Sequence, residues 1–246
     1  MKELKVPKHS QVEILKETMQ TGLKNYETNE LGEFIIYMPE ISTLRIYEKE
    51  SQITPLGING EGILKYTKEL IKDKSNEEKF KSFMKLISWF DSFSKENSEN
   101  EPYLTLKDRF IKNVDVVLDQ RSTNEGFLFL LFYCALFISD ETPSFFSIDN
   151  IDSALNPKLC TEVIRQLSKL ALEHNKQVIL TTHNPSILDG IDLEDPNYTL
   201  HVVFRNKIGE TNIKKINKPQ PLEGQESIKL SEAFMKGFIG GLPKNF

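Results

Sequence analysis

The sequence predicts an α/β fold, a mostly parallel sheet flanked by helices, and three observations carry that prediction. In Ser144 to Pro157, Ser-Phe-Phe-Ser-Ile-Asp-Asn-Ile-Asp-Ser-Ala-Leu-Asn-Pro, a short apolar run ends on a carboxylate, Asp149, and passes at once into a polar turn and a proline. Further on, a second apolar run, Val178-Ile179-Leu180, ends in Thr181-Thr182-His183. From residue 126 to 204, helical and strand-like patterns alternate, which is the mark of an α/β sheet. Open sheets of this kind bind ligands at the carboxyl ends of their strands. Two strands that each deliver a polar group there predict a nucleotide site.

Composition limits what else the chain can be. With 39% hydrophobic and 27% charged residues, its 246 residues describe an ordinary globular protein, long enough to bury a sizeable core. A net charge of -5 gives no overall footprint for nucleic acid, although a local basic face fits within that total. Cys134 and Cys160 lie in apolar helical contexts and read as buried free thiols, which fits a reducing compartment. No Cys/His metal pattern is present. The opening Met1-Lys2-Glu3-Leu4-Lys5 has no signal-peptide pattern. The longest apolar run, Phe127 to Ile138, falls short of the about 20 residues that span a bilayer. A cytoplasmic protein without membrane contact is therefore expected.

Taken in order, Ser10-Gln11-Val12-Glu13 is a capping box before a short amphipathic helix with Val12, Leu15 and Met19 on one face. Phe34 to Tyr37 and Thr43 to Tyr47 read as neighbouring strands separated by Pro39. Pro55 to Gly62 is the most glycine-dense loop and caps a helix that opens at about Ile63. From Asn76 to Phe93, Phe80, Phe83, Met84, Ile87 and Phe90 recur at helical spacing and predict one amphipathic helix. A polar loop, Ser94 to Pro102, precedes two further strands, Tyr103 to Leu106 and Val114 to Leu118.

Beyond Arg121 the character changes. Ser122-Thr123-Asn124-Glu125-Gly126 is a polar cap before the apolar helix, which reads as buried on all sides. A long helix runs from Pro157 to about Glu173, with proline in the first turn where a helix tolerates it. After the strand of Val178 to Thr181 comes a short helix behind Pro185. Thr199 to Phe204 and Asn212 to Ile216 follow as a strand pair joined around Gly209, and Ser227 to Phe238 reads as a last helix.

In this order the second half resembles the carboxyl-terminal lobe of a P-loop, ABC-type ATPase head, in particular the SMC-, RecF- and OLD-like group of AAA-family ATPases. Ser122 to Gly126 looks like a degenerate signature motif, Ser144 to Asp149 like Walker B, Ser153 to Pro157 like the D-loop, and Thr182 to Pro185 like the switch-histidine segment. Each block alone is an ordinary feature: a strand ending on Asp, a helix cap, a packed histidine. Their order and spacing carry the resemblance, which covers roughly residues 33 to 205. It divides the chain into residues 1–120, an amino-terminal helix, strand pairs and helical insert, and residues 121–246, the lobe with the four motifs.

The resemblance implies ATP and Mg²⁺ as cofactors. It implies that Asp149 holds Mg²⁺ through its water shell, that His183 bonds the γ-phosphate, and that Gly126, with Ser122 or Asn124, meets the γ-phosphate of a facing protomer. Ser153 then lies on a D-loop at the dimer seam. Two departures stand out. Asn150 occupies the catalytic position where the family has a glutamate that polarises water; an amide cannot accept that proton, though it can still orient the water. Asp152 lies two residues on, where it either substitutes for that base or caps the turn. Moreover, no Gly-Lys dipeptide occurs, so Walker A, whose lysine reaches the phosphates, is missing from these residues. The expectation is part of an ATPase that needs a second protomer or a Walker-A-bearing half, with DNA or a nuclease effector as possible further partners. The alternative is a nucleotide-dependent switch with little turnover.

Overall fold

Fifteen elements are laid out by a computed structural model that describes residues 34–45, 55–94, 104–111, 115–118 (backbone alone), 124–218 and 228–240. They are β1 (Ile35–Tyr37), α1 (Ile41–Leu44), α2 (Ile63–Leu70), α3 (Lys74–Met84), β2 (Phe90–Phe93), β3 (Leu104–Asp108), β4 (Asp115–Leu118), α4 (Glu125–Ile138), β5 (Phe145–Ile148), α5 (Pro157–Glu173), β6 (Gln177–Leu180), α6 (Pro185–Leu188), β7 (Leu200–Arg205), β8 (Thr211–Ile216) and α7 (Leu230–Met235). The chain is α/β, as its alternation predicts. The sheet that matters for the site has the order β1-β5-β6 and is wholly parallel. β2-β3-β4 forms an antiparallel sheet and β7-β8 a hairpin.

α4 is the centre of the core. Every residue from Gly126 to Ile138 is buried, as expected of a helix apolar on all sides. Aromatic rings lock it to the parallel sheet: Tyr37 meets Phe132 and Phe146 edge-on, each at 5.8 Å, and Phe137 meets Phe146 perpendicularly at 5.4 Å. A buried helix needs its terminal polar groups satisfied. Asn124 caps the amino end by accepting the Phe127 N–H at 3.2 Å. Past the other end, Lys176 Nζ donates to the carbonyls of Ser139 and Thr142 at 2.7 and 2.8 Å, while the Thr142 hydroxyl donates to Leu136 O at 2.7 Å. Burial holds the Lys176 ammonium below the usual lysine range. One core cluster extends from Tyr37 to Ile187 and includes residues on both sides of position 120.

Two expectations need correction. The helix predicted to run to Phe93 ends at Met84, and Phe90–Phe93 is a strand paired with β3. Phe90 and Phe93 are both core residues, and their separation of three fits a helical stripe as well as it fits a bulged strand. The strand expected at Thr43 begins instead as the helical turn α1, with residues 46–47 outside the described set. Tertiary packing overrides the β-branched propensity there. Leu44 is buried against Gly60, where an added Cβ would sit 2.3 Å from Leu44 Cδ2. The helix expected near Ser10 also lies outside the described residues.

Candidate functional site

Register sets which way the site faces. Ile36, Ser147 and Ile179 are aligned across the parallel sheet, and Tyr37, Ile148 and Leu180 form the next row, which faces the core. Side chains alternate along a strand, so the following residues, Met38, Asp149 and Thr181, share the face of Ile36 and Ile179. Its flanking positions are open, Ile36 at 50% exposure, Ile179 at 49% and Met38 at 45%, while Ser147 between them on the central strand is buried.

At the carboxyl edge of this face the backbone ladder continues past the strands. Asp149 N donates to Tyr37 O at 2.9 Å, Thr181 N to Ile148 O at 3.1 Å, and Ile151 N to Thr181 O at 3.1 Å. Asp149 is thereby fixed at its backbone, and its carboxylate is held from both sides. Oδ1 accepts from the Thr181 hydroxyl, and Oδ2 from Asn150 Nδ2 at 3.2 Å. Thr181 Oγ1 also accepts the Asn150 N–H at 2.9 Å. Asn150 has φ 53, a left-handed conformation that asparagine tolerates better than most residues. Ser153 joins the cluster by donating from Oγ to Asn150 O at 2.9 Å.

The structure thus unites Asp149, Asn150 and Ser153, and adds Thr181, which motif reading does not assign. Its signal in the sequence is only a hydroxyl at the end of an apolar strand. Asp152 points elsewhere, accepting from the Thr182 hydroxyl. Its charge, after burial, helps push the Cys160 thiol up to about 11. His183 is exposed just beyond, in a turn closed by Asn184 N donating to Thr182 Oγ1 at 2.9 Å. Asn184 then caps α6 through the Ser186 N–H at 3.0 Å.

The polar cap before α4 is tied to the loop after β5 within the same chain. Gly126 is buried, and a Cβ there would stand 3.3 Å from Ala154 O and 3.2 Å from Asn124 Oδ1. Ala154 itself has φ 58. Asn124 and Glu125 are the exposed residues of this cap, and Glu125 pairs with Arg45 at 3.5 Å. Ser122 lies outside the described residues. A cleft of about 550 Å³ lined by Thr161, Arg165, Asp189 and Lys229 includes neither Asp149 nor His183. The carboxylate cluster is an open edge, not a cavity.

What metal suits this edge? Asp149 is one carboxylate, and no group of three His, Cys, Asp or Glu side chains able to hold a metal occurs among the described residues. That donor set fits Mg²⁺, which takes few protein carboxylates and completes its shell with water and phosphate oxygens; it does not fit a zinc or calcium cage.

Asp149 and Thr181 thus stand at the carboxyl ends of parallel strands, where open α/β sheets bind their ligands. The family profile described as "AAA domain, putative AbiEii toxin, Type IV TA system" matches residues 64–189, just over half of the chain, and the chain belongs to that family. Membership supplies a class, an ATP-binding, ATPase-type domain. Among solved structures, an SMC ATPase from work on ATP-driven dimerization and DNA-stimulated activation is 16% identical, with TM-score 0.44 over 61% of this chain and 88% of that one. The SMC head domain from Thermotoga maritima is 19% identical, with TM-score 0.41 over 61% of this chain and 50% of that one. An SMC head bound to the C-winged helix domain of ScpA is 14% identical, with TM-score 0.45 over 73% of this chain and 55% of that one. The chain therefore spans about half the length of the latter two. No curated protein matches it.

Proposed function

We propose that this chain is the Walker-B-bearing part of a Mg²⁺-dependent, ABC-type AAA ATPase head, cytoplasmic, whose phosphate loop comes from upstream residues or from a partner chain. One observation carries the reading: Asp149 and Thr181 stand at the carboxyl edge of a parallel sheet, on the face where Ile36, Met38 and Ile179 are exposed. Parallel sheets are normally covered on both faces. A helix laid on Ile36 and Ile179, with a phosphate loop at its amino end, covers that face and brings phosphates to Asp149 in one step.

In this reading Asp149 positions the cation's water shell, and Thr181 and Asn150 fix the orientation of its two oxygens. Bound Mg²⁺ supplies charge neutralisation at the phosphates. His183 contacts the γ-phosphate, while Asn124, Gly126, Ser122 and Ser153 belong to the seam with a second protomer. DNA repair or phage defence is the context, favoured by a family description that names a toxin of a type IV system. A nuclease effector is a further partner of that context.

A second reading, a slow switch, rests on Asn150. Its amide donates to Asp149, so it serves to hold the carboxylate and cannot act as a base.

The test is nucleotide binding by the full chain with and without a polypeptide carrying Gly-x-x-x-x-Gly-Lys-[Ser/Thr], the first candidate being one encoded immediately upstream. A fluorescent ATP analogue should bind the mixture with micromolar affinity in Mg²⁺ and the lone chain far more weakly. Millimolar affinity with the partner present rejects the proposal.

A further inference from the structure

We infer that the β7–β8 hairpin is a docking ribbon for duplex DNA, its outer face directed into the major groove. This names a partner that the ATPase reading leaves open, and it stands without that reading. The first observation is charge segregation. Between Leu200 and Lys218 lie five lysines and arginines against one carboxylate, Glu210, in a chain whose net charge is -5. Lys218 pairs with Glu194 at 2.9 Å. Arg205, Lys207, Lys214 and Lys215 are exposed and make no ion pair among the described residues. Clustered like charges of this kind repel one another, and an anion relieves the repulsion.

The second observation is the outer face. Register pairs His201 with Lys215, Val203 with Ile213, and Arg205 with Thr211, and all six are exposed. Val203 is 62% exposed and Ile213 69%, a cross-strand apolar pair set between cationic neighbours. The base of the hairpin is anchored, since Ile216 is buried with Leu230 and Ala233, and Leu200 and Val202 pack against them. The tip is also fixed. Asn206 Oδ1 accepts from Ile208 N and Glu210 N at 3.0 and 2.9 Å, and its Nδ2 donates to Glu210 Oε2 at 2.7 Å. The single carboxylate is thereby held against the turn.

Shape and chemistry select the partner. A two-stranded ribbon fits the major groove of B-DNA, roughly 12 Å wide. Six-residue strands extend about 20 Å at about 3.4 Å per residue, enough to follow the groove. Lysine and arginine suit phosphates, and a mid-ribbon Val–Ile pair suits thymine methyl groups. A lipid surface takes an element with a broad, continuous apolar face; here one apolar pair lies between His201, Lys215, Arg205 and Thr211, and at the tip Ile208 stands alone beside Lys207 and Glu210. Duplex RNA has a deep, narrow major groove that excludes a ribbon.

The experiment measures fluorescence anisotropy of a labelled DNA duplex with the full chain and no nucleotide, across salt. Binding should weaken with salt at a log–log slope of about -3, since Arg205 and Lys215 on the outer face and Lys207 at the tip each contribute about -0.9. Arg205→Ala/Lys215→Ala, which removes the two cations of the outer face, should reduce that slope by about 2 and weaken binding at least tenfold at low salt. Arg205→Lys/Lys215→Arg should bind like the parent, which separates lost charge from lost fold. Absence of DNA binding at low salt overturns the inference. So does equal binding by the alanine pair, or equally tight binding of duplex RNA, polyglutamate or anionic vesicles. Loss of DNA binding with partner-dependent ATP binding intact removes the ribbon alone; the reverse removes the nucleotide reading alone.

Discussion

The Thr181 hydroxyl donates to Asp149 and at the same time accepts the backbone N–H of Asn150 at 2.9 Å. One side chain at the end of β6 therefore sets the carboxylate and the turn that follows it. Thr181→Val should cost about 1 kcal/mol in urea unfolding, the ordinary worth of such a bond. It should also lower Mg²⁺-dependent nucleotide affinity of the partnered chain by about tenfold, equal to 1.4 kcal/mol. Thr181→Ser should retain both. A valine variant that binds nucleotide like the parent would show the bond to be structural only.

Asn150→Glu tests the divide between enzyme and switch. Glutamate at φ 53 should cost about 1–2 kcal/mol of stability. In the partnered chain, a large rise in steady-state ATP turnover supports a switch slowed by the missing base. Unchanged turnover moves that role to Asp152, which the structure turns toward Thr182.

The parts of this fold legible in the sequence are those where local pattern and burial agree. α5 could be read from Pro157 at its start and from Val163, Leu167 and Leu170 on one face, and α4 from unbroken apolarity. β2 could not be read, because Phe90 and Phe93 satisfy both periods and only pairing with β3 decides between them. α1 could not be read either, since a buried Leu44 against Gly60 outweighs local propensity. At the site, Asp149 is visible from its position at a strand end. Thr181 and Thr182 are not, because their roles depend on hydrogen bonds across the sheet to Asp149 and Asp152.

Gly190 shows how tightly α6 is seated on α5. A Cβ there would fall 2.6 Å from Thr161 O and 2.8 Å from Ile164 Cβ, neither of which can swing away. Gly190→Ala should destabilise by about 1–3 kcal/mol, the usual cost of overpacking. At Gly209, φ is +88 and nothing lies within 4 Å of a new Cβ, so Gly209→Ala should cost about 1–2 kcal/mol, from backbone strain alone. Chemical denaturation of the two variants gives the comparison directly.

His174 follows α5 and lies 3.0 Å from Lys79 Nζ on α3. A helix carboxyl terminus favours an imidazolium, but burial and the Lys79 charge prevail and hold the ring below its ordinary range. The unfolded chain then binds the proton more readily. Stability from this site is full above the ordinary histidine range and falls as pH drops toward the folded value. Melting temperature should decline as pH is lowered from about 6.5, the unperturbed histidine value, and His174→Gln should flatten that decline. An unchanged slope in the variant would assign the decline to other groups.

The two thiols should be inert in the folded chain. Burial drives Cys134 well above its ordinary range, and Cys160, pushed up to about 11, also receives the Asn184 amide at 3.5 Å. A disulfide reagent at mildly alkaline pH should leave both thiols unreacted in the native state and titrate both in denaturant. Fast labelling of Cys160 alone would mean that the start of α5 opens.

The exposed apolar side chains Ile36 and Ile179 on the parallel sheet tie the proposed assembly to the chain's measured stability. If a partner docks on Ile36 and Ile179 and binds the folded form alone, it raises apparent stability by mass action, by about 2.7 kcal/mol at a hundredfold excess over its dissociation constant. A melting temperature of the isolated polypeptide is then a lower bound, and its dependence on the concentration of the covering chain is itself a binding isotherm. Folding strength and assembly, for this chain, are read from the same curve.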